Sequence, residues 1–262
     1  MQQEELKDFL EAKVKQYNQS SFIGHDPVQI PHLFSKQQDI EIAGFFAAIF
    51  SWGQRTTIIN KSKELLELMD MQPFVFIMQA EEKDLAVFDR FVHRTFNNTD
   101  CRYFVKALQQ IFKKHETLGN LFQSIYVESD GMAMALSQFK QVFFSMPHEK
   151  RTEKHIADPL KGSTAKRLNM FLRWMVRKDN YGVDFGIWNK IPSSALYLPL
   201  DIHSARIARE LGLLSRTIND WKAVEEVTGN LRKLDPEDPV KYDYALFGTG
   251  VFEKFQAGRE TD

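Results

Sequence analysis

The fold of this chain is indicated most clearly by the stretch LPLDIHSARIARELGLL, residues 198–214. Its apolar residues recur at helical spacing, and Asp201 stands directly before them, where a carboxylate can accept hydrogen bonds from the first N–H groups of a helix. We expect the helix to end near Gly212, because glycine commonly follows the last helical residue. Capping is one interpretation of Asp201. The other is a carboxylate at the edge of an anion-binding cleft, with His203 and Arg206 on nearby turns.

Helical periodicity continues through most of the chain, and no segment combines strand-length alternation with hairpin turns. The sequence therefore predicts an all-α fold. Helices are expected over residues 3–17, 40–52, 54–70, 73–79, 84–93 and 98–115, and after the turn at 160–164.

Three details of the helix ends are predicted. The stretch IEIAGFFAAIFSW, residues 40–52, is apolar on nearly every side and is expected to be buried. Ser35 and Gln38 have the spacing of a capping box for that helix, and Asp39 is another candidate cap. We expect a short final helix to end at Gly248 or Gly250.

The composition limits the kinds of protein to consider. The chain has 262 residues, of which 43% are hydrophobic and 22 are phenylalanine, enough to fill a substantial core. The net charge of −1 neither indicates nor excludes a local surface for nucleic acid. Since no run of about 18 apolar residues occurs, we expect no membrane partner. The N-terminal residues lack the pattern of a signal peptide, and a cytoplasmic protein is expected.

No cofactor or metal is predicted. Cys101 is the only cysteine, which excludes an internal disulfide, a cysteine-rich zinc site and a cysteine-ligated iron–sulfur cluster. The seven histidines form no pair with the spacing of a helical metal site, and no glycine-rich nucleotide-binding motif is present.

A second stretch, LKGSTAKRLNMFL at residues 160–172, places a glycine and small hydroxyl residues before a helix. Free N–H groups at such a helix start can bind an anion. Seven lysines and arginines but only two acids lie within residues 161–190, a local excess of five positive charges. This charge suits either a surface helix with solvated bases or a clamp on a phosphate backbone.

These stretches resemble the base-excision DNA glycosylase superfamily. Residues 160–172 are similar to its helix–hairpin–helix element, usually LPGVGxKTAxxxL, with Leu160, Gly162, Lys166 and Leu172 in matching places. The next signature of the superfamily, VDTHVxRV followed by RLG, is similar to the stretch around Asp201. The matching residues there are Asp201, His203, Arg206, Leu211 and Gly212.

Two further stretches are similar to parts of that superfamily. FFAAIFSWGQRTTIINKSKELL resembles its early helix pair with a Gln-Thr-Thr-like turn, and YDYALFGTG resembles its C-terminal helix. Over nearly its whole length, the chain also resembles a bacterial family of unknown function.

The superfamily resemblance implies roles for individual residues. Its lysine attacks the sugar C1′ as the base leaves and forms a Schiff base, and its aspartate stabilises the positive charge on the sugar. By position these residues are Lys166 and Asp201. The residues expected to contact DNA are Lys161, Gly162, Ser163, Thr164, Arg167, Gln54, Arg55, His203 and Arg206.

The resulting hypothesis is a DNA N-glycosylase of base-excision repair, with AP-lyase activity left open. The resemblance implies a two-lobed helical bundle of the helix–hairpin–helix DNA glycosylase type, with a central cleft that carries Lys166 and Asp201. Lobe one is expected to span residues 39–175, and lobe two to combine residues 1–38 with 196–262. The expected partner is duplex DNA that contains a damaged base; no protein partner is predicted. Two alternatives remain: a non-catalytic nucleic-acid-binding module on the same fold, and a helical scaffold for protein interactions.

Overall fold

A computed structural model describes residues 2–253 of the chain. Within these residues, helices follow one another with short connections. The α-helices are α1 (Gln3–Tyr17), α2 (Ser20–Ile23), α3 (Gln37–Phe50), α4 (Arg55–Glu67), α5 (Pro73–Gln79), α6 (Asn98–His115), α7 (Leu118–Glu128), α8 (Gly131–Phe143), α9 (Lys166–Val176), α10 (Ile202–Glu210), α11 (Trp221–Arg232) and α12 (Tyr242–Phe252). This architecture confirms the all-α prediction.

The strands that the structure describes are β1 (Val92–His93) and β2 (Phe96–Asn97), which pair antiparallel. They replace the end of the helix expected over 84–93, of which only a 3-10 turn at Asp84–Phe88 forms. Between the strands the chain reverses at Arg94, whose φ of 55° is incompatible with continuing a right-handed helix. That part of the helix prediction was wrong.

The chain divides into two compact units. One combines the N-terminal residues up to Phe22 with the segment that starts at Asp158, and the other is Ile23–Ala157. This division differs from the expected lobes, because Lys166 and Asp201 fall in the same unit. Hydrogen bonds account for the difference, since α9 is tied to residues that follow it in the chain, as described below.

The core of the unit Ile23–Ala157 is built around α3. Every residue from Asp39 to Phe50 is buried, as predicted for this apolar helix. The ring of Phe45 stacks on Phe104 of α6 with centroids 6.0 Å apart, and Phe139 of α8 meets Phe45 edge-on at the same distance. Such contacts give α3 apolar neighbours on several sides.

The predicted capping of α3 was wrong. The helix begins at Gln37, and its N-cap residue makes no side-chain hydrogen bond. Asp39 instead accepts the N–H of Phe74 at 2.9 Å, in the first turn of α5. Glu41, fully buried, accepts the N–H of Leu118 at 2.7 Å, at the start of α7. The two carboxylates of α3 therefore cap other helices, where the helix dipole also favours a negative charge.

The other unit packs α12 between α1 and α10. A Cβ added at Gly248 would lie 2.2 Å from Cδ2 of Tyr17, and one at Gly250 would lie 3.0 Å from the carbonyl oxygen of His203. The helix continues through both glycines to Phe252, so the expected end at Gly248 or Gly250 was wrong. These glycines allow close approach of neighbouring elements rather than ending the helix.

A buried carboxylate fixes the start of α6. Asp100 is fully buried and accepts the N–H of Asn97 at 3.0 Å and the hydroxyl of Thr152 at 2.7 Å. Arg151 and His155 approach the same carboxylate at 2.8 and 3.2 Å. Burial alone would raise the pKa of Asp100, but the hydrogen bonds outweigh burial and hold the pKa at about 2.

This network predicts a pH-dependent stability. Because the folded pKa lies below the ordinary value, the ionised carboxylate stabilises the fold above about pH 4, and this contribution is lost as the pH falls towards 2. We expect Asp100→Asn to lower the free energy of unfolding by about 2 kcal/mol at pH 7, and by progressively less in acid. Urea denaturation between pH 7 and pH 2 measures the difference. The control is Asp89→Asn, at an exposed ion pair with Arg102, for which little change is expected.

Candidate functional site

The turn that precedes α9 is held by hydrogen bonds from two helices. Asn169 of α9, which is buried, donates its side-chain amide to the carbonyl of Thr164 at 3.1 Å. The N–H of Trp221, the first residue of α11, donates to the carbonyl of Gly162 at 3.2 Å. Gly162 has a φ of 84°, a conformation that favours glycine. The turn is thus fixed in shape, and it follows a 3-10 turn at Pro159–Lys161 rather than an α-helix.

The N–H groups of this turn are largely used within it. Gly162 donates to the carbonyl of Pro159 at 2.9 Å, and Ser163 donates to the carbonyl of Asp158 at 3.4 Å. Ala165 donates to the hydroxyl oxygen of Ser163 at 3.2 Å. An anion at this place would therefore be bound mainly by the first turn of α9, whose N–H groups donate no hydrogen bond to the side chain of the N-cap residue, Ala165.

Two arginines of the basic segment are buried and paired. Arg173 of α9 and Arg177, which directly follows that helix, are 4% and 3% exposed. Asp184 lies between them, 3.3 Å from Nε of Arg173 and 3.0 Å from Nη1 of Arg177. We call the whole set the arginine network; it consists of Arg173, Arg177, Asp179, Asp184, Asp238 and Asp243.

This network changes the meaning of the local positive charge. Two of the seven bases in residues 161–190 are neutralised inside the unit, so the excess of five does not lie on one surface. Lys161, Lys178 and Lys190 are exposed, whereas Lys166 and Arg167 are half-buried. A phosphate-binding surface at this place would consist of a few bases around the turn rather than a long basic stripe.

Asp201 is the N-cap of α10, as the sequence predicted. One oxygen, Oδ1, accepts the N–H groups of His203 and Ser204, both at 2.9 Å. The side chain is half-buried. Both hydrogen bonds go to the same oxygen, so the carboxylate is held in one orientation while Oδ2 stays available to a further group.

Asp243, in the first turn of α12, is a buried acid on which the charges of both predicted catalytic residues act. It is 6% exposed and forms an ion pair with Arg173. Burial raises the pKa of the Asp243 carboxyl to about 6; Arg173 and Lys166 act to lower it, and Asp201 and Asp184 act to raise it. Arg173, two turns after Lys166, and α10, which Asp201 caps, both contact α12, so Lys166 and Asp201, 35 positions apart in sequence, belong to elements that meet at α12.

The other predicted DNA contacts in this unit have different surroundings. Lys161 and His203 are exposed. Burial lowers the pKa of Arg167 to about 10, which leaves its guanidinium charged at neutral pH. Arg206 pairs with Glu210 at 2.9 Å and donates to the carbonyl of Gly250 at 3.2 Å, so it also holds α10 against α12.

Gln54 and Arg55 belong to the other unit and are described separately. Gln54 is the exposed N-cap residue of α4, and Arg55 is its first helical residue. Beside them, the guanidinium of Arg94 stacks over the ring of Trp52 at 4.9 Å. Gly53 makes this possible, because a Cβ there would lie 2.5 Å from Arg94 Nε.

Sequence reasoning missed Asp243 and the pairing of Arg173. A signal for Asp243 was present, since an acid in the otherwise apolar stretch YDYALFGTG must be buried or capping. The signal for Arg173 was its position among apolar residues of α9. Neither pattern names the partner, because the partners lie far apart in sequence.

The described part of the chain shows no metal cluster and no membrane-spanning helix, and it contains a cavity away from the predicted site residues. No three His, Cys, Asp or Glu side chains within residues 2–253 come together in a way that could hold a metal ion. Among the same residues, no helix combines the length and apolar character needed to cross a bilayer. A cavity of about 460 Å³ in the unit Ile23–Ala157 is lined by residues that include Glu82, Lys106 and Gln109, and by none of the predicted site residues.

Comparison with known proteins gives one match. The model of a family described as "Protein of unknown function (DUF2400)" matches residues 26–252, and the chain therefore belongs to this family. No curated protein and no solved structure matches the chain.

The cap at Asp201 can be separated from any role of its charge. Asparagine caps a helix about as well as aspartate, so Asp201→Asn should change the free energy of unfolding by only a few tenths of a kcal/mol. Asp201→Ala, which loses both hydrogen bonds, should cost about 1 kcal/mol. Chemical denaturation of the two variants tests this expectation. An equal loss in both would contradict it, since the negative charge rather than the cap would then be the stabilising feature.

Proposed function

We propose that this member of the DUF2400 family binds duplex DNA and removes a damaged base as an N-glycosylase, with Lys166 as nucleophile and Asp201 as the carboxylate that stabilises the cationic sugar. The observation that carries the proposal is that both residues belong to elements that contact α12 within one unit: Arg173, two turns after Lys166 on α9, pairs with Asp243, and Arg206 of α10 donates to the carbonyl of Gly250. The sequence resemblance to the helix–hairpin–helix glycosylases, carried by the stretches around these two residues, supports the same assignment.

The chemistry follows from the two residue types. As the bond between C1′ and the base breaks, the base leaves with the electron pair and takes up a proton, and positive charge develops on the sugar. A carboxylate fixed at short range stabilises that charge, and Asp201 is pre-oriented by its two backbone hydrogen bonds. The neutral amine of Lys166 then forms a bond to C1′ and gives up one proton; the bond between C1′ and the ring oxygen breaks, the ring oxygen takes up a proton, and a protonated Schiff base remains. In a lyase, β-elimination from this Schiff base breaks the bond to the 3′ phosphate.

DNA binding would be centred on the turn at 162–165. Lys161 is exposed directly before the turn, and the first N–H groups of α9 lie directly after it. Together they suit the phosphate backbone, which binds through charge and helix N-termini without reading the sequence. A base inside the duplex must leave the stack before its glycosidic bond can be attacked.

Two other functions remain as alternatives. A non-catalytic DNA-binding module would need the turn and Lys161 but not the amine of Lys166. A scaffold for protein interactions would show no salt-dependent binding of DNA. The two experiments that follow separate these alternatives from the glycosylase.

The first experiment measures DNA binding. Lys161→Glu should weaken binding to duplexes of any sequence several-fold and reduce the slope of log Kd against log salt by about one or more, because a phosphate contact is lost and a repulsion is introduced. The matched control is Lys233→Glu. Lys233 is exposed at the other end of α11, whose first residue contacts the turn; twelve residues of helix place it about 18 Å away. Equal effects of both substitutions would contradict binding at the turn.

The second experiment tests the chemistry. Incubation with duplexes that contain abasic sites or oxidised bases, in the presence of borohydride, should give a covalent adduct. Lys166→Gln should abolish the adduct and leave duplex binding largely intact, because only the attacking amine is removed. Asp201→Asn should keep the helix cap but reduce base release at least tenfold, because an amide cannot replace a charge in stabilising the cationic sugar. A wild-type protein that binds duplexes but forms no adduct and releases no base would favour the non-catalytic module.

A further inference from the structure

We propose that Asp243 is a positioning residue of this site, a buried carboxylate held by Arg173 whose negative charge acts through Lys166 and Asp201 on the reacting sugar. The inference rests on the proposed function and extends it by a residue that neither the sequence pattern nor the family assigns. Geometry in α9, α10 and α12 supports it.

The first support is the position of Arg173 on α9. Arg173 follows Lys166 by seven residues, which is two helical turns, so both side chains project from the same face. Side chains of a helix lean towards its N-terminus, and Arg173 therefore reaches towards the turn that bears Lys166. Its ion pair places the Asp243 carboxyl on that face.

The second support is the fixed position of α12. The hydroxyl of Tyr242 donates to Glu11 of α1 at 2.7 Å. On the other side of Asp243, the ring of Tyr244 has the guanidinium of Arg173 at 4.3 Å and that of Arg177 at 5.5 Å from its centroid. With both neighbours anchored, the carboxyl of Asp243 cannot leave the site without breaking buried contacts.

The third support is the contact of α10 with α12. Gly250 packs against the backbone of His203, and Arg206 donates to the carbonyl of Gly250. These contacts hold the start of α10, where Asp201 caps the helix, at α12. The charge of Asp201 accordingly acts on Asp243.

The arginine network leaves negative charge unbalanced around Asp243. Its two guanidinium groups are shared among four carboxylates. Arg173 forms ion pairs with Asp243 and Asp184. Arg177 forms ion pairs with Asp184, Asp179 and Asp238. Outside the network, Lys166 of α9 and Asp201 of α10 act on Asp243. Helix α1 directs its nearby acid, Glu11, to the hydroxyl of Tyr242 instead.

A dependence on pH follows. With a pKa of about 6, Asp243 is neutral in mild acid and ionised at pH 8. Ionisation adds a second negative charge to that of Asp201, and this charge favours the cationic sugar over the neutral substrate. The rate of base release should therefore rise as the pH increases through about 6.

The experiment is a pH profile of single-turnover base release and borohydride adduct formation between pH 5 and pH 8. We expect wild type and Asp243→Asn to react at similar rates at pH 5, and the variant to be about tenfold slower at pH 8, because its amide cannot ionise. The matched control is Asp238→Asn, which removes another acid of the network, a half-buried one whose interactions are with Arg177 and neighbouring acids. This control should keep the rise in rate through pH 6.

A second measurement uses neither DNA nor the Asp243→Asn variant, so the inference can be tested even if that variant does not fold. In protein with ¹³C-labelled aspartate, the titration of Asp243 is followed by NMR in wild type and in Lys166→Gln. Removal of the neighbouring ammonium should raise the pKa of Asp243.

The outcomes are distinct. An unchanged Asp243 titration in Lys166→Gln, or a loss of rate in Asp243→Asn that is equal at all pH values, would overturn the inference, because Asp243 would then be structural only. A wild-type protein that releases no base would overturn the proposed function itself. If the wild type is active and the rate of Asp243→Asn still rises as the pH increases through about 6, only the role of Asp243 is overturned.

Discussion

Two buried guanidinium groups organise the unit that contains the candidate site. Arg173 and Arg177 become buried when α9 packs into the unit. Ionised side chains in a protein interior are tolerated only when they are paired and hydrogen-bonded. Their partners come from the connector after α9, from the turn before α12 and from α12 itself. Segments distant in sequence must therefore meet at α9, and Lys166 and Asp201 acquire their surroundings from that meeting.

Much of the fold could be predicted from periodicity, and less from local signals at helix ends. The helix bounds predicted for α1, α5 and α6 agree with the structure. This is because the apolar face of a helix follows from the spacing of apolar residues within the helix itself. Asp39 of α3 was misassigned because capping was judged from neighbours in sequence. Asp39 and Glu41 accept N–H groups of other helices from residues 35 and 77 positions later, a pairing that only the packed structure determines.

The candidate site was predicted to a similar extent. The cap at Asp201 could be predicted, because its hydrogen bonds reach only two and three residues along the chain. The surroundings of Lys166 could not be, since Asp243 lies 77 residues away and the bases around Lys166 differ in burial. Net local charge indicated a basic surface, but Arg173 and Arg177 turn inward. Counting charges along a segment says little about a surface when the segment includes the buried face of a helix.

The crossed capping by α3 also bears on how the unit Ile23–Ala157 folds. The first N–H groups of α5 and α7 receive their acceptors from Asp39 and Glu41, so neither helix start is satisfied until α3 has docked. Conversely, the buried carboxylate of Glu41 would lose the N–H donors of Leu118 and Gly119 without the start of α7. The three helices thus depend on one another for hydrogen-bond partners. This dependence disfavours partly assembled states and makes the assembly of this unit cooperative.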